Sequence, residues 1–295
     1  PGEAVPPDVY EPFGAPGSLT AELHGSSETQ VLRRTQRHAF VLPFYDTNIA
    51  HGIMQLGTMN VMQSYEMQAL LQPGDVVVDA GANLGSYTIP FAERVGIHGK
   101  VLAFEPFRAL YQLTTANVAI NGLSNVWTYN LALGEGRRSF TSRPPQLRFF
   151  SSPGGVKVNY AEHAGEAGAQ EKDMNMNQAV QMYDFELEPE ETLMVSLDEL
   201  LMGNSDIKVP PMANLRLIKI DVEGMERNVV LGAQRAIQHF KPIIWSENVD
   251  YFEKNDMGFL QTMEQMGYVC AKVSSAPQDL LCSDATLGMG RPPVR

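Results

Sequence analysis

The sequence predicts an α/β protein in which a doubly wound, mostly parallel sheet carries helices on both faces. Two observations predict it. From about residue 75 onward, short unbroken apolar runs alternate with segments of helical periodicity. The first of these runs, 75–79, leads into a turn that contains Gly81 and Gly85. Apolar strands that are buried on both faces and joined by helices are typical of a doubly wound sheet.

The chain is long enough for one large domain. Its 295 residues are 44% apolar, which is sufficient for a substantial core. We expect a disordered or wrapping tail over 1–28, rich in proline and glycine, and a short tail over 288–295. A single domain is predicted between them, over 29–287, and it begins with a lead-in segment at 29–71.

The elements of the first half follow in order from periodicity and turn signals. A helix is predicted over 59–71, because Pro73 and Gly74 end its pattern. Strands and helices then alternate along the chain. They are predicted at 75–79 (strand), 85–95 (helix), 100–105 (strand), 108–121 (helix) and 125–131 (strand).

A polar insertion over about 135–192 interrupts this alternation. It is too long for an ordinary connection, so we expect an acceptor-side or mobile segment. The alternation then resumes. Elements are predicted at 197–201 (helix), 215–221 (strand), 225–240 (helix), 242–247 (strand), 259–266 (helix), and 268–273 with 280–282 (hairpin).

Charge and composition exclude several classes of partner. There are 34 acidic and 22 basic residues, so the net charge is −12. This surplus repels phosphate backbones and anionic lipid, and no apolar stretch approaches the ~20 residues of a spanning helix. We therefore expect a small-molecule, glycan or protein partner, with no nucleic acid and no membrane. The oligomeric state is left open.

The two cysteines, Cys270 and Cys282, are too few for a disulfide framework or a zinc site. A reducing, cytoplasmic compartment is the default expectation. A leader removed before Pro1 stays an open alternative, because the chain does not begin with Met.

The residues that carry chemistry are expected at the carboxyl ends of the strands, where ligands bind in open parallel sheets. Asp79, Gly81, Asn83 and Gly85 follow the first strand, and the helix that begins there favours an anionic group. An ordinary tight turn is the alternative. The spacing departs from the G-x-G-x-x-G of dinucleotide binders, so a dehydrogenase is disfavoured.

The second and third strands end in polar residues that suit a nucleoside. Glu105 lies 26 residues after Asp79, where a carboxylate accepts hydrogen bonds from both ribose hydroxyls. A helix cap or a solvated acid is the alternative. Asn130, at the end of the third strand, is predicted to read an adenine edge or to serve as a turn residue.

Acidic residues end the next two strands. Asp221 and Glu223 follow the fourth strand, and Glu247 ends the fifth. Glu226 is discounted, because an acid in the first turn of a helix is ordinary dipole compensation. Carboxylates of this kind serve as general bases, orient an acceptor, or bind Mg²⁺ or Ca²⁺.

Six segments together resemble the FkbM-type class I S-adenosylmethionine-dependent methyltransferases. The most specific is LIKIDVEGME at 217–226. The other five, in matching order, are VVDAGANLGSYT (77–88), AFEP (103–106), NGLSN (121–125), ALG (132–134) and VSLD (195–198). The resemblance covers roughly residues 45–273. The tails and part of the 135–192 insertion depart from it.

This resemblance implies a Rossmann-like, seven-stranded sheet with an antiparallel last strand, and O-methylation of a hydroxyl on a carbohydrate or natural product. S-adenosylmethionine is the implied cofactor. Its methionine part falls to Asp79, Gly81, Asn83 and Gly85, and its ribose to Glu105 beside Pro106. Glu66, next to Tyr65, is expected either at the amino end of the cofactor or in an ordinary helix-surface pair. Asn130 is the candidate at the adenine.

The resemblance places base and acceptor-orienting roles on three acids, in the order Asp221 and Glu223 before Glu247. A divalent metal on these acids is an alternative that we do not favour. Two other functions stay open: methylation of a protein or nitrogen nucleophile, and a non-catalytic scaffold that uses a methyltransferase fold.

Overall fold

The computed structural model describes residues 20–24, 29–34, 38–43, 49–56, 58–142, 189–203, 205–248, 251–252 and 257–287. Most of the predicted tail 1–28, residues 143–188 of the predicted insertion and the tail 288–295 lie outside the described residues.

Strands and helices alternate through most of this part of the chain, as the sequence predicts. The strands are β1 Thr20–His24, β2 Thr29–Arg34, β3 Ala39–Pro43, β4 Val76–Ala80, β5 Lys100–Phe104, β6 Val126–Tyr129, β7 Ala132–Leu133, β8 Arg138–Ser142, β9 Glu190–Val195, β10 Leu217–Ile220, β11 Ile243–Glu247, β12 Tyr268–Val273 and β13 Ala276–Asp284. The helices are α1 Ile49–Leu56, α2 Val61–Ala69, α3 Thr88–Val95, α4 Arg108–Ile120, α5 Leu197–Met202, α6 Glu226–Leu231, α7 Gln234–Phe240 and α8 Gly258–Gln265, followed by a 3-10 turn at Ala285–Leu287.

The central sheet has seven strands in the order β12-β13-β11-β10-β4-β5-β6. Neighbours from β11 to β6 pair in parallel, whereas β13 lies antiparallel to both β11 and β12. This arrangement confirms the predicted doubly wound α/β fold with an antiparallel last strand. Every residue of β4 and β10 is buried, because helices and their side chains cover both faces.

The two faces of the sheet support separate cores. Val78, Leu102 and Ile218 belong to a large cluster on one face. Val77 and Val101 belong to a cluster with α2 and α3 on the other. Neighbouring strand residues alternate between the clusters because side chains in a strand alternate in direction.

The lead-in segment forms a small antiparallel sheet, β1-β2-β3. β1 lies within the stretch that the sequence predicts as a tail. Two asparagines, Asn117 on α4 and Asn121 at its C-cap, hold β3. Asn117 Oδ1 accepts from the Val41 amide (2.6 Å), and Asn121 Oδ1 accepts from the Ala39 amide (2.9 Å). Their Nδ2 groups donate to the carbonyl oxygens of the same two residues.

This docking works because residues four apart on a helix match residues two apart on a strand in spacing. The asparagine side chains therefore take the place of a neighbouring strand and fix the lead-in segment against the domain.

The predicted helix 225–240 is wrong in one respect, since it is two helices, α6 and α7, separated at Gly232. A Cβ at Gly232 would lie 2.0 Å from the carbonyl oxygen of Gly134. The carbonyl oxygen of Gly232 accepts from the Asp198 amide at 2.9 Å. The close approach of another segment interrupts the helix here, and periodicity cannot reveal it.

The described parts of the predicted insertion, β8 and the first residues of β9, form a small sheet with β7, in the order β7-β9-β8. β8 and β9 pair antiparallel, from Arg138 opposite Met194 to Ser142 opposite Glu190. The two ends of the insertion therefore leave the domain side by side.

Cys270 and Cys282 form a disulfide between β12 and β13, where they lie directly opposite each other. The expectation of reduced thiols is corrected by this pairing, which depends on strand register and not on the number of cysteines. Among the described helices, none has the length and apolar character needed to cross a bilayer.

Candidate active site

A cleft opens where β4, β5, β10 and β11 end at their carboxyl termini. It encloses about 890 Å³ of empty space, part of which is open to solvent. Seven of the predicted site residues line it: Gly81, Asn83, Glu105, Pro106, Asp221, Glu223 and Glu247. Ile49 and Met59 of the lead-in segment complete one wall.

The turn after β4 is held by its neighbours on both sides. The amides of Gly81 and Ala82 donate to the Phe104 carbonyl oxygen of β5, at 3.0 and 2.9 Å. Gly81 has φ +79°, and a Cβ there would lie 1.8 Å from the carbonyl oxygen of Asp221. The backbone that follows β10 therefore leaves no room for a side chain at Gly81. Gly85 has φ +83°, but a Cβ there would meet only ordinary contacts.

Gly81→Ala should cost more stability than Gly85→Ala. Both alanines would be strained by positive φ, at about 1–2 kcal/mol, but only the first adds a collision with backbone, which we expect to bring the loss to about 4 kcal/mol. Chemical denaturation of the two variants gives the comparison. Equal losses of stability in the two variants would show that the turn can move away from the Asp221 backbone at little cost in free energy.

Glu105 lies at the end of β5, and its side chain is turned into the cleft wall. Its residue exposure is 4%. Oε2 accepts from the Asn83 amide (2.9 Å) and Oε1 from the Phe107 amide (3.0 Å). Burial raises the pKa of Glu105 to about 7, although the two amides oppose this rise. Each carboxylate oxygen keeps a lone pair for a ligand.

Asn130 stabilises the backbone of the segment that carries Glu105. Its Nδ2 donates to the carbonyl oxygens of Glu105 (3.0 Å) and Pro106 (2.9 Å), and Asn130 is not among the lining residues. The structure therefore places it as a brace of the loop after β5. Its contact with an adenine edge stays a prediction.

Three other predicted cofactor residues, Asp79, Glu66 and Gly85, also lie outside the lining. Asp79 is fully buried, with Oδ2 accepting from Thr88 Oγ1 at 2.6 Å. Glu66 accepts a hydrogen bond from Ser275, on the far side of α2. Gly85 shapes the turn without lining the cleft.

Lys219, on β10, is a site residue that the sequence reasoning left unassigned. Its Nζ donates to the Gly81 carbonyl oxygen at 2.8 Å and lies 3.2 Å from Asp79 Oδ1 and 3.4 Å from Asp221 Oδ2. Burial alone lowers the pKa of Lys219, but the two carboxylates raise it more, so the pKa lies above its ordinary value. The run Leu-Ile-Lys-Ile could have indicated this residue, because a lysine within an otherwise apolar, buried strand needs charged or hydrogen-bonding partners.

The three predicted acids meet at the other end of the cleft. Asp221, Glu223 and Glu247 each place a carboxylate oxygen within 4.8 Å of the other two. Burial, together with the charge of Asp221 and a hydrogen bond to it, raises the pKa of Glu247 to about 9. Glu247 is therefore protonated at neutral pH. Proximity alone does not define a metal site, and we assign none.

A buried network of side-chain hydrogen bonds next to the cleft was also not predicted from the sequence. Tyr87, which lines the cleft, donates to Gln63 Oε1, and Gln63 Nε2 donates to Asp279. Trp245 Nε1 donates to the same carboxylate at 2.5 Å. These residues come from α2, β11, β13 and the turn before α3, so no local pattern connects them.

The order of the central sheet, together with the cleft at its strand ends, is that of a doubly wound α/β protein with a ligand site at the carboxyl edge of its sheet. Residues 79–270 match the family described as "Methyltransferase FkbM domain". The chain belongs to this family.

Two curated relatives are named methyltransferases. "Methyltransferase 1" of Beauveria bassiana is 28% identical over 156 residues, which cover 53% of this chain and 57% of the relative. "Methyltransferase sdnD" of Sordaria araneosa is 30% identical over 174 residues, covering 56% and 62%. The chain thus spans little more than half the length of either relative.

Among solved structures, the methyltransferase FkbM from Methylobacillus flagellatus aligns with 72% of this chain and 44% of its own. The sequence identity is 17% and the TM-score is 0.41.

Proposed function

We propose that the protein is an S-adenosylmethionine-dependent O-methyltransferase whose acceptor is a hydroxyl of a carbohydrate or natural product. The observation that carries the proposal is one continuous cleft with a buried carboxylate, Glu105, at one end and the acids Asp221, Glu223 and Glu247 at the other. The first end suits a nucleoside, and the second suits a hydroxyl that must lose a proton.

The cofactor end of the cleft has the donor set that a nucleoside needs. Glu105 offers free lone pairs to the ribose hydroxyls, and apolar side chains such as Phe104, Phe107 and Leu131 flank it. Within the described residues, Asn83 Oδ1 is buried with no hydrogen-bond partner. A bound ligand with an N–H or O–H group would satisfy that oxygen.

S-adenosylmethionine supplies a methyl group already activated on a sulfonium sulfur, so the protein must mainly align and activate the acceptor. Asp221 suits the role of base, because its side chain is 31% exposed to the cleft and is paired with Lys219. Glu247 is a poorer base, since its pKa of about 9 leaves it protonated at neutral pH.

Partners are proposed from charge and site chemistry. A net charge of −12 and an acidic cleft end disfavour nucleic acid and anionic membrane, so we propose a small-molecule or glycan acceptor.

The test is an acceptor panel of glycans, small alcohols, amines and peptides, with release of S-adenosylhomocysteine as the signal. Asp221→Asn is run beside the wild-type protein to separate acceptor-dependent turnover from background. Turnover with hydroxyl acceptors supports the proposal. Turnover confined to amines or peptides would replace the acceptor class, and calorimetry showing no binding of S-adenosylmethionine would overturn the cofactor assignment.

Cofactor affinity should rise with pH around neutrality. Only ionised Glu105 accepts hydrogen bonds with both oxygens, and its pKa of about 7 means that the protonated form predominates below pH 7. Binding of S-adenosylhomocysteine at pH 6 should therefore be about tenfold weaker than at pH 8, by the proportion of the ionised form. Calorimetry at both pH values checks this, and Glu105→Gln should remove the dependence.

A further inference from the structure

Lys219 is a buried cation in the cleft wall to which the proposed function gives no role. Its Nζ faces the Gly81 carbonyl oxygen, Asp79 Oδ1 and Asp221 Oδ2 at 2.8, 3.2 and 3.4 Å. The Gly81 carbonyl oxygen accepts a hydrogen bond from this ammonium group, and the two carboxylates lie at ion-pair distance from it. The property by which Lys219 can act on a ligand in the cleft is therefore its charge.

That charge is fixed, because Asp79 and Asp221 raise the pKa of Lys219 by more than burial lowers it. With one cation and two carboxylates, the cluster Asp79–Lys219–Asp221 has a net charge of 1 − 2 = −1. Two of its side chains are shielded from solvent, at 4% exposure for Lys219 and 0% for Asp79, so screening of this pair by water and salt is weak, whereas Asp221 is 31% exposed.

We propose that Lys219 sets the preference of the cleft between the cationic cofactor and its neutral product, by offsetting one of the two carboxylates beside the glycine turn. The inference rests on the proposed function, because it concerns S-adenosylmethionine and S-adenosylhomocysteine. These ligands differ only in a methyl group and the positive charge on sulfur. A negative cluster favours the sulfonium, and a fixed cation within the cluster reduces that preference.

A purely structural role makes a different prediction. Lys219 also ties the turn at Gly81 to Asp221, so its loss could loosen the cofactor end of the cleft. In that case both ligands lose affinity in parallel. The ratio of the two dissociation constants therefore separates an effect of charge from an effect of shape.

The test uses Asp79→Asn as a background. Lys219→Met alone would leave Asp79 buried without its counter-ion, which destabilises the fold or protonates the carboxyl. Asp79→Asn alone brings the cluster to a net charge of zero. We expect it to lower the preference for S-adenosylmethionine over S-adenosylhomocysteine about tenfold, the scale of one unit charge across a partly buried cleft.

Adding Lys219→Met to Asp79→Asn returns the cluster to −1, so the ratio should return to within about threefold of the wild-type value. Isothermal titration calorimetry with both ligands, at pH 8, measures the ratio in each protein. Lys100→Met in the same background is the matched control, because Lys100 begins β5 at the end of the sheet opposite the cleft. It should leave the ratio of the Asp79→Asn variant unchanged.

A ratio that stays the same in Asp79→Asn with and without Lys219→Met overturns the inference. Loss of both ligands in the double variant also overturns it, since that result assigns Lys219 a structural role. A wild-type protein that binds neither ligand is a separate outcome, because it removes the proposed function itself.

Discussion

Glu105→Ala should weaken the binding of S-adenosylmethionine about a hundredfold. The variant removes the carboxylate that we place at the ribose hydroxyls, and two hydrogen bonds to a charged acceptor contribute about 1.5–3 kcal/mol each. It also leaves the amides of Asn83 and Phe107 without their partner, so the cleft wall itself is less well ordered. Calorimetric titration measures the affinity.

Glu105→Gln and Glu264→Ala separate the two contributions. The glutamine keeps one acceptor oxygen for the backbone amides but loses the charge, so its affinity should lie between those of the wild type and the alanine variant. Glu264 is an exposed acid on α8, and its removal should change nothing. Wild-type affinity in a folded Glu105→Ala protein would exclude Glu105 from the cofactor site.

Asp221→Asn should lower kcat about a thousandfold with a hydroxyl acceptor, because general-base catalysis contributes roughly 10²–10⁴-fold. The amide keeps the shape of the side chain and cannot take the proton. Binding of S-adenosylhomocysteine should stay within about threefold of the wild type, since the neutral product responds weakly to one lost charge. Initial rates and calorimetry on the same preparation provide both values.

The neighbouring acids are the comparison for this result. Glu223→Gln and Glu247→Gln should each reduce kcat less than Asp221→Asn, and Asp206→Asn, a surface change at a side chain that is 78% exposed, should leave it unchanged. An unchanged rate in Asp221→Asn would move the role of base to whichever of Glu223 and Glu247 gives the larger loss.

The sequence was sufficient for much of the fold because its signals are local. Unbroken apolar runs predict strands buried on both faces, and β4, β5, β10 and β11 lie within two residues of their predicted limits. The break at Gly232 could not be predicted in the same way, since its cause is the carbonyl oxygen of Gly134, nearly 100 residues away. The Cys270–Cys282 pairing likewise follows from strand register.

The sequence by itself determined a doubly wound methyltransferase fold and a set of polar residues at its strand ends. One geometric rule, that parallel strands end at a common edge, was enough to collect Glu105, Asp221, Glu223 and Glu247 in one cleft. Only the tertiary structure decided what each residue faces. Asp79 and Asn130 lie behind the lining, and Lys219 lies between two carboxylates. The physical reason is that hydrogen bonds and charge pairs depend on distances of a few ångströms between distant segments, which no local pattern encodes.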